Sequence, residues 1–445
     1  MTMRCAFRTI TFFLLAASPG AASPLDVYGF GASGVAAAGG LTALADPLTG
    51  AYYNPSASVG GHDRLLGLGL SYGVPFFSVE SDPGNKAISP CSATSGAPCK
   101  HLPGGVGQMA IAAVLPLGGK VNDRAALSVV ANLPMNTLVR MQSLDGTEPQ
   151  FFMYQSRPDR LAVLASLAVS VNEMLSVSGG VQTLVAETGS VNVGMEIFDK
   201  RFTRRELNMD FNSAAAPVVS WLVRLPHAQI GFEWRGELKI AYTLPATIDM
   251  GDVGSLQLDI HGIAHWTPHI FNLAGAYALT DSFWIDLDLA YEMWSRMPND
   301  QLIVSSRLGG DVLTKLGLAD QLAFDSKDAP MGFSDIIVAR ASTRWQLSAE
   351  WQLRAGVGWR PSPVPDQVST TNYLDNMTFT FGGGADYSFS DPLEIFARPI
   401  TASIGVEYLA ARTRHVSKES PIDPLGGYSF GGGVLNAAAM VHYAF

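Results

Sequence analysis

The stretch SFWIDLDLAYEMW, residues 282–294, sets Phe283, Ile285, Leu287, Leu289, Tyr291 and Met293 on one face of an extended chain and Asp286, Asp288 and Glu292 on the other. A helix would smear this pattern around its surface, whereas a strand separates it cleanly. WQLSAEWQLRAGVGW repeats the arrangement: Leu347, Ala349, Trp351, Leu353, Ala355, Val357 and Trp359 alternate with Gln346, Ser348, Glu350, Gln352, Arg354, Gly356 and Gly358. In QIGFEWRGELKIAY, Ile230, Phe232, Trp234, Leu238, Ile240 and Tyr242 oppose Glu233, Arg235, Glu237 and Lys239. Runs of about 10 to 15 residues exceed the usual soluble strand and match a tilted strand crossing a bilayer.

Composition points the same way. The chain is 47% hydrophobic and only 15% charged, against roughly 25% charged in soluble domains. No strongly apolar run long enough for a membrane helix follows the N-terminus, so short alternating stretches must hide the apolar residues. Such segments are expected at about 63–76, 105–116, 123–134, 159–170, 176–188, 217–225, 229–243, 255–279, 283–294, 334–343, 347–359, 376–388, 393–411 and 428–445. Fourteen is even, as a closed single-chain bacterial outer-membrane barrel requires. Pro268 interrupts the 255–279 segment, which can be one element or two. Short links such as 117–123, 171–174, 225–228, 279–282 and 389–392 alternate with long segments near 77–104, 135–158, 189–216, 295–333, 360–375 and 412–427. Short periplasmic turns and long external loops are the asymmetry of a transmembrane barrel.

Residues 1–22 read as a secretory signal: Arg4 and Arg8 precede the apolar TITFFLLAAS, and small residues stand before Ser23. Its removal takes the formal charge from −10 to −12, because 27 basic residues then face 39 acidic ones. That balance argues against a nucleic-acid partner. Cys5 leaves with the signal. Cys91 and Cys99, in SPCSATSGAPCK, can close a small disulfide loop in an oxidising compartment. The alternative, a metal site with His101 nearby, lacks further ligands.

GFGASGVAAAGGLTALADPLTGAYYNPSASVGG, residues 29–61, is too glycine-rich for a stable membrane helix. A dinucleotide loop would require a strand before it, a packed helix after it and an acidic ribose ligand further on. Hydrocarbon cannot satisfy the edges of an open sheet, so a membrane sheet closes, and a fourteen-stranded barrel encloses a lumen wide enough to need a plug or to leak. Residues 29–61 are the candidate plug, with Gly admitting close backbone approach and Asn54-Pro55 forming a fixed turn.

At GFGASGVAAAGGLTALADPLTGAYYNPSA the chain resembles the N-terminal hatch of FadL-like outer-membrane transporters for long-chain fatty acids and other hydrophobic compounds, with Ser56 where their NPA motif carries Ala. FNLAGAYALTDSFWIDLDLAYEMWS, LRAGVGWRPSPVPDQ and the terminal MVHYAF resemble further family stretches. The resemblance implies an all-β fold: a 14-stranded antiparallel transmembrane β-barrel over residues 63–445, with a hatch in its lumen over 23–62. It implies passive uptake of hydrophobic molecules, entering from outside and leaving through a lateral wall opening after a hatch movement. Gly31, Ser33 and Gly34 would lie in the mobile part, Asn54 and Pro55 at the anchor. The competing reading is a permanent plug in a structural or polar-solute-conducting barrel.

Phe151, Phe152 and Tyr154 in QFFMYQS are candidates for an exposed apolar capture patch, with loop packing as the plain alternative. Lys200, Arg201, Arg204 and Arg205 in DKRFTRREL can meet lipopolysaccharide phosphates or a substrate carboxylate, or form a solvated loop face. Asp286, Asp288, Glu292, Glu350 and Arg354 are expected to form a lumenal ionic network. His261, His265 and His269 have helical spacing inside strand-like sequence and no carboxylate cluster, and Ser255 and Ser348 lack triad partners, so no enzyme, cofactor or metal is expected. The expected protein is a monomer in outer-membrane lipid.

Overall fold

The computed structural model describes residues 25–59, 61, 63–83, 91–92, 102–118, 124–135, 149–154, 161–196, 201–249, 254–298, 303–310, 315, 324–325, 331–369, 371–391, 398–419 and 425–445. The wall is a 14-stranded antiparallel barrel. Its strands are β1 (Leu65–Pro75), β2 (Val106–Pro116), β3 (Ala125–Pro134), β4 (Ala162–Ser170), β5 (Leu175–Glu196), β6 (Arg201–Arg224), β7 (Ala228–Arg235), β8 (Ile270–Thr280), β9 (Phe283–Glu292), β10 (Ile336–Gln346), β11 (Trp351–Arg360), β12 (Thr378–Phe389), β13 (Ile400–Val416) and β14 (Tyr428–Ala444). Each pairs with the next. β1 and β14 close the ring from Leu65↔Ala444 to Pro75↔Val434, and Arg64 and Phe445 exchange both backbone hydrogen bonds just beyond. Closure leaves no strand edge in hydrocarbon.

Alternation sorts the wall into two solvents. On β9, Leu287, Leu289 and Tyr291 face outward while Asp286 and Asp288 are buried in the interior. On β11, Trp351, Val357 and Trp359 face outward and Arg354 inward. Among the described residues no helix is long and apolar enough to span a membrane; the strands cross it.

The structure changes several expected boundaries. The 255–279 segment is two elements, Ser255–Thr267 and β8, parted at Pro268 and His269. Its partner also breaks: β7 stops at Arg235 and the chain resumes as Leu238–Asp249. Register continues across the gap, Arg235↔Ile270 being followed by Leu238↔Thr267. The facing does not continue. Trp234 points outward, but Leu238 and Ile240, expected beside it, are buried with Ala162, Leu184 and Ala216. The hairpin's upper half therefore leans inward over β4–β6. Residues 347–350 are a turn, not strand, since Leu347 N donates to Trp351 O. Segment 189–216, expected as a loop, is the upper part of the β5–β6 hairpin, paired to Glu196↔Arg201.

Residues 25–59 lie inside this wall. They form α1 (Leu25–Tyr28), α2 (Gly31–Ala36), α3 (Pro47–Tyr53) and a 3-10 turn (Pro55–Ser58). Phe30, Val35, Leu41, Leu48 and Tyr52 share one core cluster with wall residues Ala112, Val130, Leu164, Val218 and Met440.

Candidate functional site

The lumenal segment is held by polar contacts whose local causes are visible in its sequence. Asp46 caps α3, its carboxylate accepting from Leu48 N and Thr49 N, both at 3.0 Å, with Pro47 at the first helical position. Arg354 Nη2 lies 3.4 Å from the same carboxylate, and its Nε 3.2 Å from Asp386. Burial alone would raise the Asp46 pKa; Arg354 and the Thr49 donors outweigh it and hold the group below the ordinary carboxylate value. Burial raises Tyr53, whose neutral phenol accepts from Phe30 N at 2.9 Å.

Asn54 Nδ2 donates to Thr42 O at 2.7 Å and to Trp221 O on β6 at 3.2 Å, while its Oδ1 accepts from Ser56 N. Ser56, the departure from the NPA motif, bonds Ser220 of β6 through its hydroxyl at 2.8 Å, and Ser220 in turn meets Ser178 of β5 at 2.6 Å. Thr42 N donates to Asp288 at 3.2 Å, and Ser342 donates to Gly40 O at 2.8 Å. Arg235 donates to Tyr52 O at 2.7 Å and covers the Tyr52 ring at 4.0 Å.

Wall glycines supply the space. A Cβ on Gly405 would collide with Ala32 O, and one on Gly382 would stand 2.6 Å from both Val35 O and Ala36 O. α2 thus packs backbone against backbone on β12 and β13. Gly31 adopts φ +68°, the left-handed region that Gly enters without strain, and Gly34 lies against the Tyr53 ring. Ser33 is buried, and its carbonyl accepts from Ala37 N.

Above the segment is a chamber of about 100 Å³ lined by Tyr53, Glu233, Arg340, Arg360 and Glu407, with apolar Val27, Met153 and Leu409. Its charged residues come from separate strands, so no local motif announces them. The chamber is roofed by an aromatic cluster. Phe151 and Tyr154, expected as an exposed patch, are buried there against Phe77 at ring separations of 4.4 and 4.7 Å. Phe152 is partly buried, edge-on to Trp294 and Phe333.

The remaining candidates fall elsewhere. Arg201, Arg204 and Arg205 lie on β6, opposite Glu196, Gly194 and Val193. Asp286, Asp288, Glu292 and Arg354 face the lumen, but Glu350 sits in the exposed 347–350 turn, accepting from Ser348 at 2.7 Å. His261 and His265 lie on strand Ser255–Thr267 and His269 just past it, stacked on Trp234, and no metal-binding group occurs among the described residues. Cys91 opposes Val79 in a short strand pair; Cys99 and residues 1–22 lie outside the described residues.

The family described as Outer membrane protein transport protein (OMPP1/FadL/TodX) matches residues 206–442. The Long-chain fatty acid transport protein of Salmonella typhi is 22% identical over 151 residues, spanning 34% of this chain and 29% of that relative. A crystal structure of a Pseudomonas aeruginosa FadL homologue superposes with TM-score 0.57 at 13% identity, covering 94% of this chain and 98% of that one. The P. putida toluene transporter TodX gives TM-score 0.57 at 14% identity, over 94% and 99% of the two chains. At these identities the superpositions speak for the fold.

Proposed function

Because the chain belongs to the OMPP1/FadL/TodX family of outer membrane transport proteins, we propose that it takes up long-chain fatty acids or related hydrophobic compounds passively, through a barrel gated by residues 23–62 as a hatch. It is an outer-membrane multi-pass barrel and a channel protein, not an enzyme.

The observation that carries the gating reading is the lumenal segment itself: it fills the interior, and it meets the wall through an apolar cluster, backbone packing, hydrogen bonds and one ion pair, with no covalent tie among the described residues. Such contacts can be remade in a second position. In this reading Gly31, Ser33 and Gly34 move, while Asn54 and Pro55 hold the turn. An apolar solute gains about 0.8 kcal/mol per CH₂ on leaving water for an apolar site, so diffusion down a gradient needs a moving barrier and no ATP.

The lateral exit draws support from the parting of β6 and β7. Their pairing runs from Gln229↔Arg224 to Arg235↔Val218, Gly236 N donates to Pro217 O at 2.9 Å, and beyond that the β7 arm leans inward. Phe151, Phe152 and Tyr154 become part of a movable roof over the chamber. Arg201, Arg204 and Arg205 are assigned to lipopolysaccharide phosphate or a substrate carboxylate, Cys91 and Cys99 to a disulfide, and the working unit is a monomer.

The charged chamber is the observation that favours the alternative, a structural or polar-solute-conducting barrel. Uptake of a labelled fatty acid, toluene and a small sugar separates the two, measured in cells with no protein, the intact chain, or a chain lacking residues 29–45. Protein-dependent uptake of the hydrophobic pair is expected, altered by the deletion. Hydrophobic uptake equal in all three strains would refute the proposal, and sugar uptake through the intact chain would favour the alternative.

A further inference from the structure

The chamber's charges are not matched one for one. Arg235 stands 3.0 Å from Glu233, Arg340 3.6 Å from Asp288 and Arg360 3.1 Å from Asp375, so each guanidinium has its own carboxylate. Glu292 and Glu407, each 7% exposed, make no ion pair among the described residues. Their donors are neutral: Trp294 Nε1 to Glu292 at 2.7 Å, and Asn436 Nδ2 to Glu407 at 2.9 Å. A carboxyl group, ionised or neutral, keeps lone pairs beyond a single accepted hydrogen bond, so both keep acceptor capacity.

Arg360 is complementary. Both of its bonds to Asp375, at 3.1 and 3.3 Å, come from Nη1, and its buried Nη2 has no acceptor among the described residues. The Arg360 charge lies within electrostatic reach of Glu292. One chamber therefore offers unused acceptors on β9 and β13 and an unused donor on β11.

Three kinds of ligand end fail this test. A carboxylate would satisfy Arg360 but set its own acceptor oxygens against those of Glu292. An ammonium would satisfy the glutamates but meet the guanidinium. A bare hydrocarbon end would leave every one of these groups unmatched in a site it had just dried, at the cost of unmet polar groups. A hydroxyl donates once and accepts as well.

The geometry points to this chamber as a head-group subsite for the hydroxyl of an alcohol or phenol, with Glu292 or Glu407 taking its proton in a hydrogen bond and Arg360 Nη2 donating to its oxygen. The inference rests on the uptake reading above and narrows its substrate class. A volume of about 100 Å³ suits the polar end of a molecule, leaving its apolar body against the roof or the segment.

Three probes with one apolar body test it: 4-pentylphenol, pentylbenzene and 4-pentylbenzoate. Binding to the full mature protein in detergent is measured by equilibrium dialysis, and uptake into cells by label. The phenol is expected to bind at least about tenfold tighter than either partner. The double variant Glu292→Gln, Glu407→Gln should cut the phenol's advantage over the benzoate several-fold, with heat-modifiable migration confirming that it folds; an unchanged advantage in the folded variant overturns the subsite. If that variant does not fold, Arg360→Lys provides the second reading: it should weaken the phenol while leaving pentylbenzene unchanged, and equal loss for both overturns the subsite. Benzoate or pentylbenzene binding as tightly as the phenol also overturns it, with hydrophobic uptake left standing. No protein-dependent uptake of any probe would instead remove the transport reading.

Discussion

Arg354 Nη2 lies 3.4 Å from the Asp46 carboxylate and its Nε 3.2 Å from Asp386, so one wall arginine ties the cap of a lumenal helix to a second wall strand. Because the Asp46 pKa is lowered in the folded protein, its stabilising contribution is fully present above the ordinary carboxylate value of about 4 and is lost as pH falls through the depressed value. Planar-bilayer conductance of the purified protein should stay low from neutral pH to about pH 5 and rise only in stronger acid. Asp46→Asn should raise conductance already at neutral pH; a variant as tight as the parent would show that this contact does not hold the segment.

Asn54, the C-cap of α3, joins Thr42 O ahead of that helix to Trp221 O on β6. Asn54→Ala leaves those buried carbonyls without this donor and should cost about 1–3 kcal/mol. The loss is expected in the segment and not in the wall: faster protease cleavage within residues 25–59, with unchanged heat-modifiable migration.

Gly405→Val places a branched side chain where the Ala32 carbonyl lies. Overpacking of this kind costs about 1–3 kcal/mol and should push α2 off the wall. Cells carrying the variant should become sensitive to large antibiotics while the barrel still folds; resistance equal to the parent would mean that α2 adapts in place.

Leu287 is 64% exposed on the outer face of β9, beside buried Asp286 and Asp288. Leu287→Arg should destabilise folding into lipid vesicles by about 2–4 kcal/mol if this face meets the bilayer centre. A change near zero in a denaturant titration would place Leu287 outside the hydrocarbon.

Strand number and order were legible because alternation with period two repeats on every wall strand, and residues such as Leu287 and Asp288 declare their solvents by themselves. The change of facing after Arg235 was not legible, since WRGELKI keeps its alternation in sequence while the backbone breaks at Gly236 and Glu237. Burial of Phe151 and Tyr154 was hidden for another reason: an aromatic run in a connection packs inward or outward according to partners such as Phe77, far along the chain. Asn54 stood out through its motif, but Ser220 carried no signal. Gly382 and Gly405 read as plain strand glycines until α2 is placed against them. The chamber had no sequence signature, because Glu233, Glu292, Arg340, Arg360 and Glu407 sit on five strands.

The course of residues 25–59 has a mechanical consequence. α2 contacts β11–β14, whereas α3 contacts β2 and β3 and the 3-10 turn contacts β3–β6. Both helices also touch β1. The segment therefore straddles the β1–β14 seam, the neighbouring strand pair whose members are farthest apart along the chain and whose loop-closure entropy is largest. It is a clasp across the joint where the ring would otherwise be easiest to unzip, so whatever loosens the clasp also bears on the integrity of the ring.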